Sequence, residues 1–290
     1  MEIRKGIILG GGKGSRLYPL TRTLNKHLFP IYNKPMIYFP LANLMEAGIR
    51  EILLITNPKE DKLFYNLLAD GSHLGISIKY ATQPEPKGLP QAFIIGEEFI
   101  NSEPVCLNLG DHILFGKKLG EILSKIRQDF SKTTLFVIPT ENSSEYGVIE
   151  FNSNGIPISI KEKPINPKSN YIVTGIYFYD SNVVEYSKSL NFSKREELEI
   201  SDLNNIYLNN NKLKVVKLDY NIKWLDAGSP ERILNISNYI HNLETKHQTF
   251  YACLEHIALK KRYITEKKYY EQIDFNKGSE YGELMKNLIS

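Results

Sequence analysis

The first half of the sequence alternates short apolar segments with segments of helical periodicity. Lys5–Leu9 and Glu51–Thr56 are apolar on both faces, which is typical of central parallel strands that are covered by helices. Between them, Leu41 and Met45 lie at helical spacing, and Gly48 follows as a stop signal. This order of strand, loop, helix and strand predicts a βαβ unit, and the alternation continues beyond it.

The second half is richer in strand patterns. Gly147–Phe151 and Ile156–Lys161 flank Asn154-Gly155, a dipeptide suited to a tight hairpin turn. A long helix is expected after Ser229, and the segment from about residue 246 shows helical patterns without a clear strand. We therefore predict an α/β protein with a mostly parallel central sheet, an inserted β-rich part and a C-terminal helical appendage.

Composition excludes several classes of protein. The 290 residues are 42% hydrophobic, enough to bury a large core. No segment approaches the roughly 18 apolar residues of a membrane helix or resembles a signal peptide, so we expect a cytoplasmic protein without a membrane partner. The net charge of +3 is too balanced to predict nucleic-acid binding. Cys106 and Cys253 lack metal-ligand spacing and are expected to be buried thiols.

The segment from Gly10 to Arg16 is the strongest local feature, because four of its first five residues are glycine and it directly follows an apolar strand. Glycine loses the most conformational freedom on folding, so this loop indicates a need for bare backbone. Bare backbone is usually needed where backbone N–H groups must approach and bind a phosphate. The spacing fits neither a Walker A loop nor the dinucleotide fingerprint, which needs glycine or alanine where Ser15 stands. A phosphate-binding loop and a structural turn both stay open.

Three cations, Arg16, Lys26 and Lys34, lie in a stretch stiffened by prolines. Two unit charges about 4 Å apart gain only about 1 kcal/mol in water but about 4 kcal/mol at an effective dielectric of about 20, so fixed cations matter most in an enclosed cleft. We expect Arg16 and Lys26 to bind phosphate, and Lys34 to be an ordinary surface lysine.

Two aspartates follow apolar runs in comparable ways. Asp111 comes after Val105–Leu109, and Asp226 follows Trp224-Leu225. Ligands of open α/β sheets gather beyond the carboxyl ends of strands, so both carboxylates are expected to face the glycine loop. Magnesium is commonly held by one or two carboxylates together with phosphate oxygens and water. The pair favours a magnesium site, although either aspartate alone would equally suit a turn or a helix cap.

A third cluster, Glu162-Lys163-Pro164, ends the second strand of the expected hairpin. Its carboxylate could accept hydrogen bonds from sugar hydroxyls, and its lysine could pair with a phosphate. Charged residues on a hairpin are also often ordinary surface residues, so both interpretations stay open.

With these residues assembled, the chain resembles the sugar-nucleotide pyrophosphorylase family almost from end to end. The resemblance implies a Rossmann-like nucleotidyltransferase fold with a catalytic domain over 1–245 and a helical tail over 246–290 that contacts other subunits. The catalytic domain would divide into a nucleotide half over about 1–111 and a sugar-phosphate half over about 112–245. The matching motifs are, in order, Gly11–Pro19, Asn25–Pro30, Gln83–Leu89, Leu109–Asp111, Glu145–Val148, Glu162–Pro164, Val173–Gly175, Glu197–Asp202 and Trp224–Asp226.

The resemblance also implies an activity: transfer of a deoxythymidylyl group from dTTP to glucose 1-phosphate, giving dTDP-glucose and pyrophosphate, with Mg²⁺ as the cofactor. Arg16, Lys26 and Lys163 would be catalytic, and Asp111 and Asp226 would bind the metal. The sugar-phosphate residues would be Tyr146, Gly147, Glu162, Lys163 and Val173. The nucleotide-binding residues would be Gly10, Gly11, Gly12, Gly14, Ser15, Arg16, Lys26, His27, Gln83, Gly88, Leu89 and Asp111.

One of these roles, that of Gln83, also has a physical reason. Gln83 and Gly88 would read the thymine edge, and an amide offers the donor and the acceptor that an imide-containing pyrimidine requires. Without the resemblance, Gln83 would equally suit a loop between prolines.

The sequence departs from the family pattern at three positions. His27 stands where many members have glutamine, and His112 stands where asparagine is usual. Three roles stay open for each histidine: replacement of an amide hydrogen bond, a third metal ligand and a pH-sensitive contact. The longer members of the family are homotetramers, assembled as dimers of dimers, that are inhibited by an end-product sugar nucleotide. Cys253, Glu255 and Ile257 resemble the tail of that inhibitor site, whereas Tyr220 stands where those members have arginine.

Two rival functions stay open at this point. A sister enzyme would run the same chemistry with another base or sugar, for example forming UDP-glucose. A non-catalytic sensor would bind a sugar nucleotide and regulate a partner, but binding alone would tolerate the loss of some of Arg16, Lys26, Asp111, Lys163 and Asp226.

Overall fold

A computed structural model of the protein describes residues 2–289. Its strands are β1 (Lys5–Gly10), β2 (Pro30–Ile31), β3 (Lys34–Pro35), β4 (Glu51–Thr56), β5 (Ser77–Thr82), β6 (Val105–Leu109), β7 (His112–Gly116), β8 (Thr133–Pro139), β9 (Gly147–Phe151), β10 (Pro157–Glu162), β11 (Tyr171–Tyr179), β12 (Leu213–Lys217) and β13 (Ile222–Asp226). Its helices are α1 (Tyr38–Ala47), α2 (Asp61–Leu68), α3 (Gln91–Ile95), α4 (Glu97–Ile100), α5 (Leu119–Gln128), α6 (Val183–Lys188), α7 (Ile200–Asn209), α8 (Pro230–Lys246), α9 (Leu254–Lys260), α10 (Glu266–Phe275) and α11 (Glu280–Asn287).

A nine-stranded sheet forms the centre of the described chain, in the order β10-β9-β11-β6-β1-β4-β5, with β8 paired to β11 and β12 paired to β8. The pairings of β1 with β4 and β6, of β4 with β5 and of β8 with β12 are parallel. Seven of the nine strands run in one direction, and only β10 and β11 oppose them. The predicted mostly parallel sheet is therefore confirmed.

The central strands are buried on both faces. In β1, Ile8 packs into one apolar cluster, and Ile7 and Leu9 pack into the cluster on the other face. In β4, Leu54 and Ile55 divide between the same two clusters. Helices must therefore cover both faces, as the continuous apolar runs in the sequence predicted.

The carboxyl ends of β1, β4 and β6 lie side by side. Gly10 pairs in register with Thr56, and Leu9 pairs with Leu109. The segments that leave these strands, beginning with Gly11, Asn57 and Gly110, therefore meet at one edge of the sheet. This edge is where the candidate site forms.

Two local predictions differ from the structure. The spacing of Ala92, Phe93, Gly96 and Phe99 predicts a single helix, but the structure divides it into α3 and α4 at Gly96, which lacks the side chain that favours an uninterrupted helix. The hairpin of β9 and β10 is present, but its loop runs over residues 152–156, and the Asn152 side chain accepts hydrogen bonds from the backbone N–H groups of Asn154 and Ile156. The side-chain oxygen of Asn152 closes the turn in place of a two-residue connection.

The segment after α8 packs against the face of the sheet that carries α1. Leu254, Ile257 and Met285 belong to the same apolar cluster as the α1 side chains. Lys34 is buried at this junction in an ion pair with Glu244, with 2.6 Å between Nζ and Oε1. The expectation that Lys34 is a surface lysine was wrong, because α8 covers it. The boundary at residues 245–246 stays a prediction.

Both cysteines are free and buried, as predicted. Burial raises the pKa of the Cys253 thiol to about 12, with the Glu255 carboxylate acting in the same direction, so this cysteine is a packed thiol. Among residues 2–289, no helix is both long enough and apolar enough to cross a membrane.

Candidate active site

The glycine loop after β1 is held by a partly buried network of two amides and a carboxylate. Asn57 accepts a hydrogen bond from the Gly12 N–H at 2.8 Å and donates to the Gly12 carbonyl at 3.1 Å. Asn25 donates to the Gly10 carbonyl at 2.9 Å, and Glu60 accepts from both asparagines. The loop is therefore fixed before any ligand binds. The roles of Asn57 and Glu60 were not predicted, although Asn57 stands at the carboxyl end of β4 just as Asp111 follows β6.

Two glycines of the loop adopt positive φ angles, +99° at Gly12 and +56° at Gly14. A side chain would be strained at either position. At Gly11, a Cβ would lie 2.6 Å from the Gln83 side-chain oxygen. Glycine at these positions lets the loop turn and lets Gln83 approach the backbone closely.

Lys26 and Asp111 form an ion pair with 2.5 Å between Nζ and Oδ2. Burial alone would raise the pKa of the Asp111 carboxyl, but the ammonium of Lys26, together with His112 and His27, holds it well below its usual range. Asp111 is therefore ionised at neutral pH, as a metal ligand must be. The structure thus brings these two predicted site residues together at the edge of the sheet where the glycine loop begins.

Two adjoining cavities meet at this ion pair. Both are lined by Lys26, Asp111, Leu89, Leu109 and Glu197. The smaller, of about 200 Å³, borders the glycine loop at Gly11 and Gly12, and the larger, of about 350 Å³, borders the end of β10 at Glu162. The smaller cavity contains the predicted residues Gly11, Gly12, His27, Gln83 and Gly88. The larger contains the predicted residues Arg16, Tyr146, Gly147, Glu162, Lys163, Val173 and Asp226.

Three predicted residues line neither cavity in the described chain. Gly10 is buried as the last residue of β1, and its carbonyl is bound by Asn25. Gly14 accepts a hydrogen bond from the Thr21 hydroxyl at 2.9 Å, and Ser15 is exposed at the start of a 3₁₀ turn. These residues shape the loop, and their contact with a nucleotide stays a prediction.

Gly88 contacts the segment around Leu198 directly through the backbone. It forms a parallel bridge with Leu198, and the Leu198 N–H donates to the Lys87 carbonyl at 2.9 Å. The φ angle of Gly88 is +99°, and a Cβ there would lie 2.0 Å from the Leu198 carbonyl oxygen. The segment around Leu198 can approach only because residue 88 has no side chain. Glu197, in the same segment, lines both cavities.

Gly88→Ala should therefore lower both stability and activity. Gly155→Ala is the matched control, because Gly155 also has a positive φ of +74° but a Cβ there meets no atom within 4 Å. We expect the control to lose about 1 kcal/mol of unfolding free energy and to keep its activity. Gly88→Ala should lose more unfolding free energy than the control. It should also raise the KM of a substrate that binds in either cavity. Urea denaturation and steady-state kinetics measure the two effects, and equal small losses in both variants would contradict this role of Gly88.

The larger cavity holds a carboxylate and a cation from the end of β10. Glu162 accepts a hydrogen bond from the Ser201 hydroxyl at 2.7 Å, which fixes its orientation. Lys163 lines the same cavity, and its side chain makes no hydrogen bond or ion pair within residues 2–289. Arg195 also lines the cavity and binds Glu199 through Nη2 at 2.5 Å. Arg195 was not predicted, because it lies before α7 in a segment whose sequence does not indicate that it borders the cavity.

Asp226 is held by Arg232, which was not predicted as a site residue, and by Tyr146, which was. Arg232, in the first turn of α8, forms an ion pair with its Oδ2, and the Tyr146 hydroxyl donates to the same oxygen at 3.2 Å. Arg232 also binds Glu145 at 2.6 Å. Burial raises the pKa of Tyr146, and the Asp226 carboxylate acts in the same direction, so the tyrosine stays a donor.

The two aspartates can supply part of a metal site. Asp226 in β13 pairs in register with His112 in β7, the residue after Asp111, so both carboxylates reach the larger cavity. Within the described chain their neighbours bind only Oδ2 of each, which leaves both Oδ1 atoms for a cation. Residues 2–289 contain no cluster of three or more His, Cys, Asp or Glu side chains that could hold a metal. The donor set therefore fits a magnesium ion that also takes oxygens from phosphate and water.

The two unusual histidines have fixed orientations. His27 Nδ1 lies 2.7 Å from the Asn25 side-chain oxygen, and burial lowers the pKa of its ring to about 3, with Lys26 adding to the effect. His112 Nδ1 lies 3.0 Å from the Thr174 carbonyl oxygen, and Gly175 makes room for the ring, since a Cβ there would lie 2.2 Å from Nδ1. His27 is therefore neutral and donates from Nδ1, which supports the interpretation that it replaces an amide hydrogen bond.

Comparison with known proteins identifies the class of enzyme to which this fold and site belong. A family model described as Nucleotidyl transferase matches residues 5–242. The chain belongs to this nucleotidyl transferase family.

One relative of known name and two solved structures show which members of the family this chain is similar to. The chain is 46% identical to the glucose-1-phosphate thymidylyltransferase of Neisseria meningitidis serogroup A, over 98% of this chain and 99% of the relative. A Bacillus anthracis structure in complex with sucrose, provisionally named a glucose-1-phosphate thymidylyltransferase, matches with a TM-score of 0.74 at 35% identity, over 81% of this chain and 94% of that one. A UDP-glucose pyrophosphorylase complexed with UDP-glucose matches with a TM-score of 0.72 at 25% identity, over 83% of this chain and 99% of that one. The predicted nucleotidyltransferase fold is confirmed.

Proposed function

We propose that this protein transfers a deoxythymidylyl group from dTTP to glucose 1-phosphate and releases pyrophosphate, giving dTDP-glucose for activated-sugar biosynthesis. The observation that carries the proposal is the Lys26–Asp111 ion pair shared by two adjoining cavities. One cavity has the glycine loop and an amide suited to a base, and the other has a carboxylate and a lysine suited to a sugar phosphate. The relative from N. meningitidis carries the name of this activity.

The nucleotide would occupy the smaller cavity. The bare backbone of Gly11 and Gly12 lets the triphosphate approach, and Gln83 and Gly88 face the base. Arg16 is exposed, lines the larger cavity and makes no hydrogen bond or ion pair within residues 2–289. Its guanidinium is free to bind the phosphates that leave.

The sugar phosphate would occupy the larger cavity. Glu162, oriented by Ser201, would accept hydrogen bonds from sugar hydroxyls, and Lys163 would bind the phosphate. Tyr146, Gly147 and Val173 complete the lining. This arrangement brings the sugar phosphate next to the ion pair at which the two cavities meet.

Asp111 and Asp226 are the residues that would hold Mg²⁺. When bound, the metal would neutralise charge on the two anionic reactants. The remaining work belongs to the protein's own side chains. Lys26 and Lys163 would position the reacting phosphates, and Arg16 would stabilise the negative charge that develops on the pyrophosphate.

The reaction needs no covalent intermediate on the protein. A phosphate oxygen of glucose 1-phosphate is already a nucleophile at neutral pH, and it would form the new bond to the α-phosphorus as the bond from that phosphorus to pyrophosphate breaks in line. Catalysis then depends on positioning two anions and on stabilising the leaving group.

The main alternative is a sister enzyme that forms UDP-glucose, which the fold of the UDP-glucose pyrophosphorylase would also accommodate. A panel of triphosphates and sugar 1-phosphates, scored by pyrophosphate release, separates the two. We expect the highest kcat/KM with dTTP and glucose 1-phosphate. A higher kcat/KM with UTP would replace the proposal by the alternative, and tight nucleotide binding without any pyrophosphate would indicate a non-catalytic sensor.

The assembly would be a homotetramer in which the tail contacts other subunits. Two large aromatic side chains of α10, Tyr270 and Phe275, are exposed in this tail and are available for such a contact. Sedimentation analysis of the purified chain tests it, and a monomer at all concentrations would contradict it.

A further inference from the structure

Gln91, the first residue of α3, binds the side chain of the predicted base-reading residue. Its Oε1 accepts a hydrogen bond from Gln83 Nε2 at 2.7 Å and another from the Lys87 backbone N–H at 3.0 Å. Gln83 is itself buried, and its backbone N–H is bound by the Thr56 carbonyl at 2.8 Å. Gln83 is therefore fixed through both its backbone and its side chain, although Gln91 lines neither cavity in the described chain.

The Lys87 N–H sets the direction of this chain of hydrogen bonds. A backbone N–H can only donate, so the Gln91 atom that faces it must be the amide oxygen. That oxygen can only accept, so the Gln83 atom that faces it must be the NH₂ group. If the Gln83 amide turned over, its oxygen would face the Gln91 oxygen and two acceptors would repel each other. The Gln83 oxygen is thereby directed to the Gly11 side, where it lies 2.6 Å from the position of a Gly11 Cβ.

We propose that Gln91 is a positioning residue that selects the base by fixing Gln83 as a hydrogen-bond acceptor. The inference rests on the proposed function, because it takes a pyrimidine nucleotide to bind in the smaller cavity. Thymine and uracil carry a donor at N3, which the fixed Gln83 oxygen accepts. The second N–H of the Gln83 amide remains available for a base carbonyl.

Cytosine would be rejected by the same arrangement. It has a lone pair at N3 and an amino group at C4, so it presents the opposite pattern to the fixed amide. A Gln83 side chain that could turn over would satisfy cytosine as well. Discrimination between the two kinds of base would thus depend on the orientation of the Gln83 amide, which the Lys87 N–H fixes through Gln91. Neither Lys87 nor Gln91 needs to touch the nucleotide.

Gln91→Met tests the inference, because methionine has a similar length and removes the strong acceptor. Gln91→Glu is the matched control, because a carboxylate cannot donate and still accepts from both Gln83 and the Lys87 N–H. Steady-state kinetics would compare dTTP, dUTP and dCTP with glucose 1-phosphate for the wild type and both variants. We expect Gln91→Met to lower the dTTP to dCTP ratio of kcat/KM by at least about tenfold and to leave the dTTP to dUTP ratio unchanged. Gln91→Glu should keep both ratios within about threefold of the wild type.

Two results would overturn the inference. Equal losses with dTTP and dCTP in Gln91→Met would show that Gln91 supports the fold only, and relaxed discrimination in Gln91→Glu would show that the acceptor is not the cause. Gln91→Leu gives the same readout if the methionine variant fails to fold. Calorimetric binding of dTTP and dCTP separates this inference from the proposed function. A wild type that binds dTTP without turnover would contradict the proposed function. The ratio of dTTP to dCTP affinity in the variants would still test the role of Gln91.

Discussion

Arg16→Ala should lower kcat by about 10²- to 10³-fold, the range seen when a group that stabilises developing negative charge is removed. The effect on KM should be smaller, because the charge on the pyrophosphate grows in the transition state. Since Arg16 is exposed and has no polar partner among residues 2–289, the free energy of unfolding should change by less than about 0.5 kcal/mol. Stopped assays of pyrophosphate release and urea denaturation measure the two quantities.

Lys13→Ala is the control for this experiment. Lys13 belongs to the same loop and is also exposed, but it lines neither cavity. It should keep kcat within a few-fold of the wild type. An Arg16→Ala enzyme with the kcat of the wild type would show that Arg16 is not catalytic. An equal loss of kcat in Lys13→Ala would show that the net charge of the loop, rather than the position of Arg16, explains the effect.

The second large effect is expected from Lys26→Met, which should lower kcat/KM by about 10²- to 10³-fold and also destabilise the protein. Lys26 lines both cavities, and its ammonium helps to hold the pKa of Asp111 well below the usual range. Without it, an ionised carboxylate would stay in a largely buried position without its partner. We expect a loss of about 2–3 kcal/mol of unfolding free energy, somewhat below that for a fully buried pair.

Lys34→Met separates the two consequences. Lys34 also forms an ion pair with a carboxylate, Glu244, but this pair is fully buried under α8 and lies outside both cavities. Its removal should cost about 3–5 kcal/mol of stability and leave kcat/KM of the folded protein unchanged. Denaturation curves and kinetics at a temperature where both variants are folded make the comparison. A kinetic defect in Lys34→Met as large as that in Lys26→Met would show that stability, rather than the site, explains the result.

The central fold could be predicted from the sequence because its strands are long and apolar on both faces. The strand over Glu51–Thr56 has the predicted bounds, and the long helix expected after Ser229 is α8, with the Ser229 side chain as its cap. The strands β7 and β13 were not predicted. Each has five residues, and their pairing with one another depends on a fold that brings residues 112 and 226 together. A contact between segments so far apart leaves no periodic signal in either segment.

In the candidate site, too, some residues could be predicted from the sequence and others could not. Arg16, Lys26 and Asp111 could be found because glycine-rich loops and the carboxyl ends of strands are general positions for phosphate and metal ligands. The side chains that hold them, such as Asn57 and Arg232, could not be found from the sequence. An asparagine before a proline indicates a turn wherever it occurs, and an arginine in the first turn of a helix is common. Only the folded chain shows which partner each one binds.

The most direct test of the whole account follows the oxygens of glucose 1-phosphate labelled with oxygen-18 at its three non-esterified phosphate positions. With dTTP, Mg²⁺ and the wild-type protein, mass spectrometry should find dTDP-glucose and pyrophosphate in equal amounts, with all of the label in dTDP-glucose and none in pyrophosphate. Label in the pyrophosphate, or bound nucleotide with no dTDP-glucose formed, would contradict direct attack by the sugar phosphate on the α-phosphorus.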